Sequence, residues 1–110
     1  MVTHTLVFAF PADMTDEDRA EFFREGSALV LGTGFAETYR HWPHVPLTDA
    51  VGQVLAPVFT PSAMAQVECR DFAAMRRLFA HPSLAAFVGR WQSRFPYQAV
   101  SVNTGPAQPE

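Results

Sequence analysis

The sequence predicts an α+β domain built on one antiparallel sheet with its helices packed on one side. Three observations carry this. Four short runs have strand length and strand composition. Two longer stretches space their apolar residues at three and four, the period of a helix that buries one face. These runs come in the order strand, helix, strand, strand, broken helix, strand, which is the split βαββαβ unit of ferredoxin-like folds. A chain of 110 residues fits one domain. A hydrophobic fraction of 48% against 17% charged supplies enough apolar surface to offset the entropy of ordering, which excludes a disordered chain. We expect one domain over residues 1–104 and a frayed tail over 105–110.

The first strand is Val2 to Phe10. Val2, His4, Leu6, Phe8 and Phe10 share one face, and Thr3, Thr5, Val7 and Ala9 share the other. Both faces are largely apolar, as in a strand covered on two sides. After Pro11, Thr15 caps a helix whose first turn carries Asp16, Glu17 and Asp18, acids that suit the positive end of the helix dipole. Phe22, Phe23, Leu29 and Val30 keep helical spacing to about Val30, and Gly32 and Gly34 stop it. Phe35 to Trp42 is a second, aromatic-rich strand closed by Pro43. Residues 43–62 hold four prolines, with Thr48 to Leu55 as a short helix or a loop, and the segment is either a binding loop or a surface excursion. Ala63 to Arg70 is a third strand, with Gln66 and Glu68 on one face and Ala65, Val67 and Cys69 on the other. Asp71 caps a helix bearing Phe72, Met75, Leu78 and Phe79. It breaks at His81-Pro82, because residues before proline avoid the helical region. Ser83 caps the continuation, where Leu84, Phe87, Val88, Trp91 and Phe95 form the clearest amphipathic stripe. Tyr97 to Asn103 is the last strand.

Composition narrows function by exclusion. Net charge is −3, from eight arginines, no lysine and eleven acids, with no basic run, so nucleic acid is not an expected partner. The one cysteine, Cys69, cannot form an internal disulfide. Next to Arg70 it is either a thiol of lowered pKa or a small apolar filler. Leu6 to Phe10 is far too short to span a membrane, and no basic segment precedes it, so the expectation is a cytoplasmic protein with no membrane partner. No glycine-rich phosphate loop or nucleophile-elbow motif occurs. The sheet face away from the helices carries Val7, Ala9 and either Val67 or Val100, and a second copy of the chain is the simplest cover for it, which predicts a homodimer.

The opening VTHTLVFAF, with histidine fourth, and the segment FAHPSLAAF, with its His-Pro break, resemble the stress-responsive A/B barrel domains of the dimeric α/β-barrel superfamily. The resemblance spans roughly residues 2–103, is carried by the two ends, and weakens over 43–62. It implies a ferredoxin-like fold paired into a dimeric barrel. The family includes a plant polyketide cyclase and a hydroxynitrile lyase. Its superfamily adds cofactor-free quinone-forming monooxygenases, lactone isomerases and haem enzymes. The family's first-strand histidine matches His4, and the histidine of its His-Pro step matches His81. The cyclase's second histidine, its general base, meets Leu84 here, and its tyrosine meets Leu78. Both members of that acid–base pair are missing, so proton handling must fall to other groups.

The residues offer several. His4, among Leu6, Phe8 and Phe10, is either a general base in a pocket between sheet and helices or a hydrogen-bonded histidine at the core edge. His81 is either catalytic or a partner for exposed backbone groups at the helix break. In ETYRHWPHVP, Glu37, Tyr39 and His41 fall on one strand face, giving either a proton-handling pocket or an ordinary aromatic edge strand. His41 and His44 would need a distant third ligand to hold a metal, so no metal site is expected. Glu68 pairs either with a histidine, as an acid–base couple, or with an arginine, and Gln66 shares its face. Phe8, Phe23, Trp42, Phe79, Leu84, Phe87 and Trp91 either wall a pocket for a hydrophobic ligand or form plain core.

The expected function is a small enzyme without cofactor that moves protons on a hydrophobic aromatic or polyketide-derived metabolite, as a cyclase, isomerase or lyase. The expected catalytic set is His4, Tyr39, His41, Glu68 and His81. Two alternatives stand beside it: a cofactor-free monooxygenase of a polyphenol using Trp42 or Trp91, and a non-catalytic, stress-associated dimer that binds a small molecule.

Overall fold

The computed structural model describes residues 1–47 and 59–106. The elements are β1 (Val2–Ala9), α1 (Asp16–Gly32), β2 (Ala36–Pro43), β3 (Ala63–Cys69), α2 (Phe72–Ala80), α3 (Pro82–Arg94) and β4 (Gln98–Thr104). The strands lie in the order β2-β3-β1-β4 and every neighbouring pair is antiparallel. This is the ferredoxin-like arrangement the element order predicts. The short helix considered within Thr48 to Leu55 lies outside the described residues, as does the end of the tail.

Local chemistry places each element. Thr15 and Asp18 close a reciprocal cap at the start of α1, each side chain bonding the other's backbone N–H at 3.1 Å. Asp71 caps α2 through the Ala74 N–H at 2.8 Å. α1 runs past Val30 to Gly32, and Gly34 then takes a φ of 81°, a turn in the left-handed region that glycine adopts without strain. The ends of the proline-rich segment are pinned to the sheet. The His44 N–H donates to the Ser62 carbonyl, and the Ser62 N–H donates to the Phe8 carbonyl.

Register decides which side chains meet. Across the sheet, Asn103, His4, Val67 and Tyr39 form one row under the helices, and the rows beside it run Ser101, Leu6, Ala65, His41 and Ala99, Phe8, Ala63, Pro43. The other side carries Thr5, Val7, Met64, Gln66, Glu68, Thr38, Arg40, Trp42, Val100 and Val102. Val67 is therefore not on the uncovered face, since it is 3% exposed beneath the helices. Glu37 also departs from the expected alternation. A β-bulge falls between Ala36 and Thr38, and Glu37 is an exposed residue beside Asp71 and Arg77 at α2.

The core lies between sheet and helices. Phe22 sits at its centre, with ring centroids 5.2–5.5 Å from those of Phe8, Phe10, Phe23, Phe87, Trp91 and Tyr97. A second cluster joins Val2, Val30, Val67, Cys69, Met75 and Leu78. Of the four residues predicted to share the α2 stripe, Met75 and Leu78 are buried while Phe72 and Phe79 are exposed. Cys69 is a buried filler whose thiol is pushed up by burial and then by the nearby acids Glu37 and Asp71, so it is not an activated thiol. Polar ties hold α3 to α1: Arg90 to Glu25 at 2.6 Å and Arg94 to Asp18 at 3.1 Å. Among the described residues no helix is long and apolar enough to cross a membrane.

Candidate active site

The sheet's central row and the three helices enclose an apolar chamber of about 180 Å³. β1 contributes His4, Leu6 and Phe8, and α1 contributes Phe22, Gly26 and Val30. Tyr39 and Val67 come from β2 and β3, while Leu78 and Phe79 come from α2. Leu84, Phe87 and Val88 of α3 close the top, and Tyr97 and Ala99 stand at the β4 end. The open side lies along β4, where every strand residue is exposed and where the exposed Phe79 and Val88 form a rim.

His4 is the buried polar residue of the chamber, 7% exposed. Its position follows from strand alternation, which turns it inward with Leu6 and Phe8. Burying an imidazole requires a partner. Asn103, opposite it on β4, supplies one: His4 Nδ1 lies 2.6 Å from Asn103 Oδ1. A carbonyl oxygen only accepts, so in this bond Nδ1 is the donor. Among the described residues Nε2 has no protein partner. The Phe79 ring, tilted 58° at 4.4 Å, braces the imidazole. The result is an imidazole held through Nδ1 at an apolar wall, with its second ring nitrogen left for another group.

Tyr39 stands in the same row, with Val67 between it and His4. Burial, and then the nearby Tyr97, push its phenol well above the ordinary tyrosine range. Tyr97 is raised too, again by burial. Both phenols therefore stay protonated and can donate a hydrogen bond to an oxygen that gains negative charge.

The chamber gathers part of the predicted site. His4, Tyr39, Phe8, Phe79, Leu84 and Phe87 all line it. Seven others fall elsewhere, each for a physical reason. His41 lies on the edge strand with its ring stacked flat on Phe23 at 4.3 Å, and neither residue lines the chamber. His81 caps α3: its Nδ1 accepts from the Ser83 N–H at 3.2 Å and lies 2.6 Å from the Ser83 hydroxyl. Glu68 and Gln66 are on the far side of the sheet. Glu68 accepts from the Thr38 hydroxyl at 2.8 Å and sits 4.0 Å from Arg40, so its partner is an arginine and not a histidine. Gln66 donates to the Thr5 hydroxyl at 3.3 Å. Trp42 is on that same far face and 40% exposed. Trp91 is core, its indole N–H donating to Glu25 at 3.3 Å. Sequence reasoning missed Asn103, Tyr97, Phe22 and Gly26. The signal for Asn103 was the antiparallel β1–β4 register, which sets it opposite His4. His41 and His44 belong to no group of three potential ligands among the described residues.

No protein-family model and no curated protein sequence matches the chain. Solved structures do. At3g17210 of Arabidopsis thaliana superposes with a TM-score of 0.81 at 14% identity, over 100% of this chain and 99% of that one. A dabb family protein with a ferredoxin-like fold from Mesorhizobium loti gives 0.73 at 18%, over 97% of each. The hydroxynitrile lyase of Passiflora edulis gives 0.75 at 10%, over 98% of this chain and 96% of the lyase. SnoaB, a cofactor-independent oxygenase of Streptomyces nogalater, gives 0.68 at 14%, over 99% and 97%. The chain thus has the ferredoxin-like fold found in dabb proteins, the fold its two end motifs implied.

Proposed function

We propose that the protein is a small acid–base enzyme that moves a proton on a hydrophobic metabolite without a cofactor, in a cyclisation, isomerisation or elimination. The observation that carries the reading is the buried His4 imidazole, its Nδ1–H committed to Asn103 and its Nε2 lone pair left for substrate. In the reaction, Nε2 takes a proton from an acidic carbon or a phenol. Tyr39 donates a hydrogen bond to the substrate oxygen as charge develops there. The proton on Nε2 then returns to a different atom of the substrate or leaves with the departing group. The apolar walls keep water out and hold the substrate in one pose. Positioned proton transfer of this kind contributes typically about 10²–10⁴-fold. The hydroxynitrile lyase and the cofactor-independent oxygenase support the class of chemistry, since the same fold carries small-molecule reactions in both. The oxygenase alternative relied on Trp42 or Trp91 at the substrate, and neither lines the chamber.

The working unit of this reading is a homodimer. Val100 and Val102 are each 55% exposed on the far face, beside Val7, Met64 and Trp42. Such a patch on a small protein calls for a partner surface. Structures of the same fold described as dimeric support the assignment.

Two observations favour non-catalytic small-molecule binding as the second reading: leucine at positions 78 and 84, and a chamber of only about 180 Å³. Deuterium exchange separates the two. Single-ring aryl ketones in D₂O, followed by proton NMR, should exchange the hydrogens next to the carbonyl faster with the protein than without it. His4→Ala should abolish the acceleration. Binding without accelerated exchange, or exchange unchanged in His4→Ala, would leave the second reading in possession.

A further inference from the structure

We infer that the chamber is built for an uncharged ligand of one six-membered ring carrying a hydrogen-bonding oxygen, and that Gly26 sets this size limit. The inference deepens the proton-transfer reading and rests on it for the role of the oxygen. The size limit stands on volume alone. A protein cavity of about 150 Å³ lined by aliphatic and aromatic side chains accommodates benzene. The chamber, at about 180 Å³, holds one ring and a small substituent within its walls, and a second fused ring would have to extend through its open side.

Charge is selected as sharply as size. None of the described residues lining the chamber is Asp, Glu or Arg. A charged ligand would lose its hydration there and gain no counter-ion. The polar side chains on offer are His4, Tyr39 and Tyr97. His4 and Tyr39 flank Val67 in one cross-strand row, two strand spacings apart. That places their backbones about 10 Å from each other. A single ring lying over Val67 can present its oxygen to one of these groups and its far edge to the other.

Gly26 sits inside α1, where glycine is a poorer helix former than alanine. Its surroundings explain its presence. A Cβ at this position would stand 3.3 Å from Phe87 Cζ and 3.5 Å from the Tyr39 hydroxyl. The bare backbone thus lets the Phe87 ring and the Tyr39 phenol lie against the helix. A methyl group there is tighter than ordinary contact with Phe87, so that ring must give by a few tenths of an ångström, while the Tyr39 hydroxyl stays at contact distance.

The test measures binding of three probes by isothermal titration calorimetry: 4-methylphenol, 2-naphthol and 4-hydroxybenzoate. We expect saturable binding of 4-methylphenol, about tenfold weaker binding of 2-naphthol and none of 4-hydroxybenzoate. Gly26→Ala should weaken 4-methylphenol by about tenfold while the circular dichroism spectrum stays that of wild type. Leu84→Ala, which enlarges the chamber without touching α1, should bring 2-naphthol level with 4-methylphenol and keeps the test decisive if Gly26→Ala fails to fold. The inference is overturned if 4-methylphenol does not bind at millimolar concentration, if 2-naphthol or 4-hydroxybenzoate binds wild type as well as 4-methylphenol does, if a folded Gly26→Ala binds unchanged, or if Leu84→Ala leaves the size preference intact. The predicted size order combined with exchange unchanged in His4→Ala would remove the proton-transfer reading and keep the size limit. Preferred two-ring binding combined with exchange abolished in His4→Ala would do the reverse.

Discussion

The two sides of the sheet are made from alternate residues of the same four strands, yet they carry their polar groups in opposite ways. Under the helices, His4 is buried and depends on a single bond to Asn103. Behind the sheet, Gln66 and Glu68 are half-buried, and each ties its strand to a neighbour through a threonine. The first arrangement leaves one imidazole nitrogen without a protein partner among the described residues, beside an apolar space. The second uses up polar groups in holding strands together. A single-residue change of register would exchange the two sets, so the side on which a residue falls matters more than its type.

The largest expected contrast between the two sides is in stability. Phe22→Ala removes the ring at the centre of the aromatic cluster and should cost about 3–5 kcal/mol. Gln66→Ala, behind the sheet, loses one half-buried hydrogen bond and should cost only about 0.5–1.5 kcal/mol. Urea unfolding midpoints of the two variants compare them directly. Assembly comes next. Val100→Asp puts a charge on the far-face patch and should convert the proposed dimer to monomers in analytical ultracentrifugation. Binding of 4-methylphenol should survive, because the chamber lies on the other side.

A smaller effect separates the two histidines of the resemblance. His81→Ala removes the α3 cap and should lower stability by about 1 kcal/mol with no change in deuterium exchange. If exchange falls with it, His81 acts in the chamber after all. The smallest effect is alkaline. Folding raises the Tyr39 phenol above its ordinary value of 10.0, so the unfolded chain gives up its proton first. The stability this contributes is complete below about pH 10 and is lost as pH climbs through the raised folded value. Tyr39→Phe should therefore lose less stability between pH 8 and pH 11 than wild type does. The raised Tyr97 retains part of the dependence in both proteins.

The fold was legible because each signal was local. The Thr15 cap, the His81-Pro82 break and the inward alternation of Val2, His4 and Phe8 can all be read from a few adjacent residues. The site was legible only where it depended on such alternation, as with His4 and Tyr39. The bulge at Glu37 is not written in side-chain pattern. Gln66 and Glu68 share a face in any strand, but which face is set by pairing with β1. Asn103 became visible only once β4 was docked beside β1, a contact 99 residues apart in sequence.

The proposed chemistry depends on Asn103 holding His4 so that Nε2 faces the chamber with its lone pair free. Nitrogen-15 NMR of the imidazole, recorded with and without 4-methylphenol, tests this most directly. His4 is expected to carry its proton on Nδ1, and its Nε2 resonance to shift when the ligand binds. A proton on Nε2 in the unliganded protein, or an Nε2 resonance indifferent to bound ligand, would contradict it.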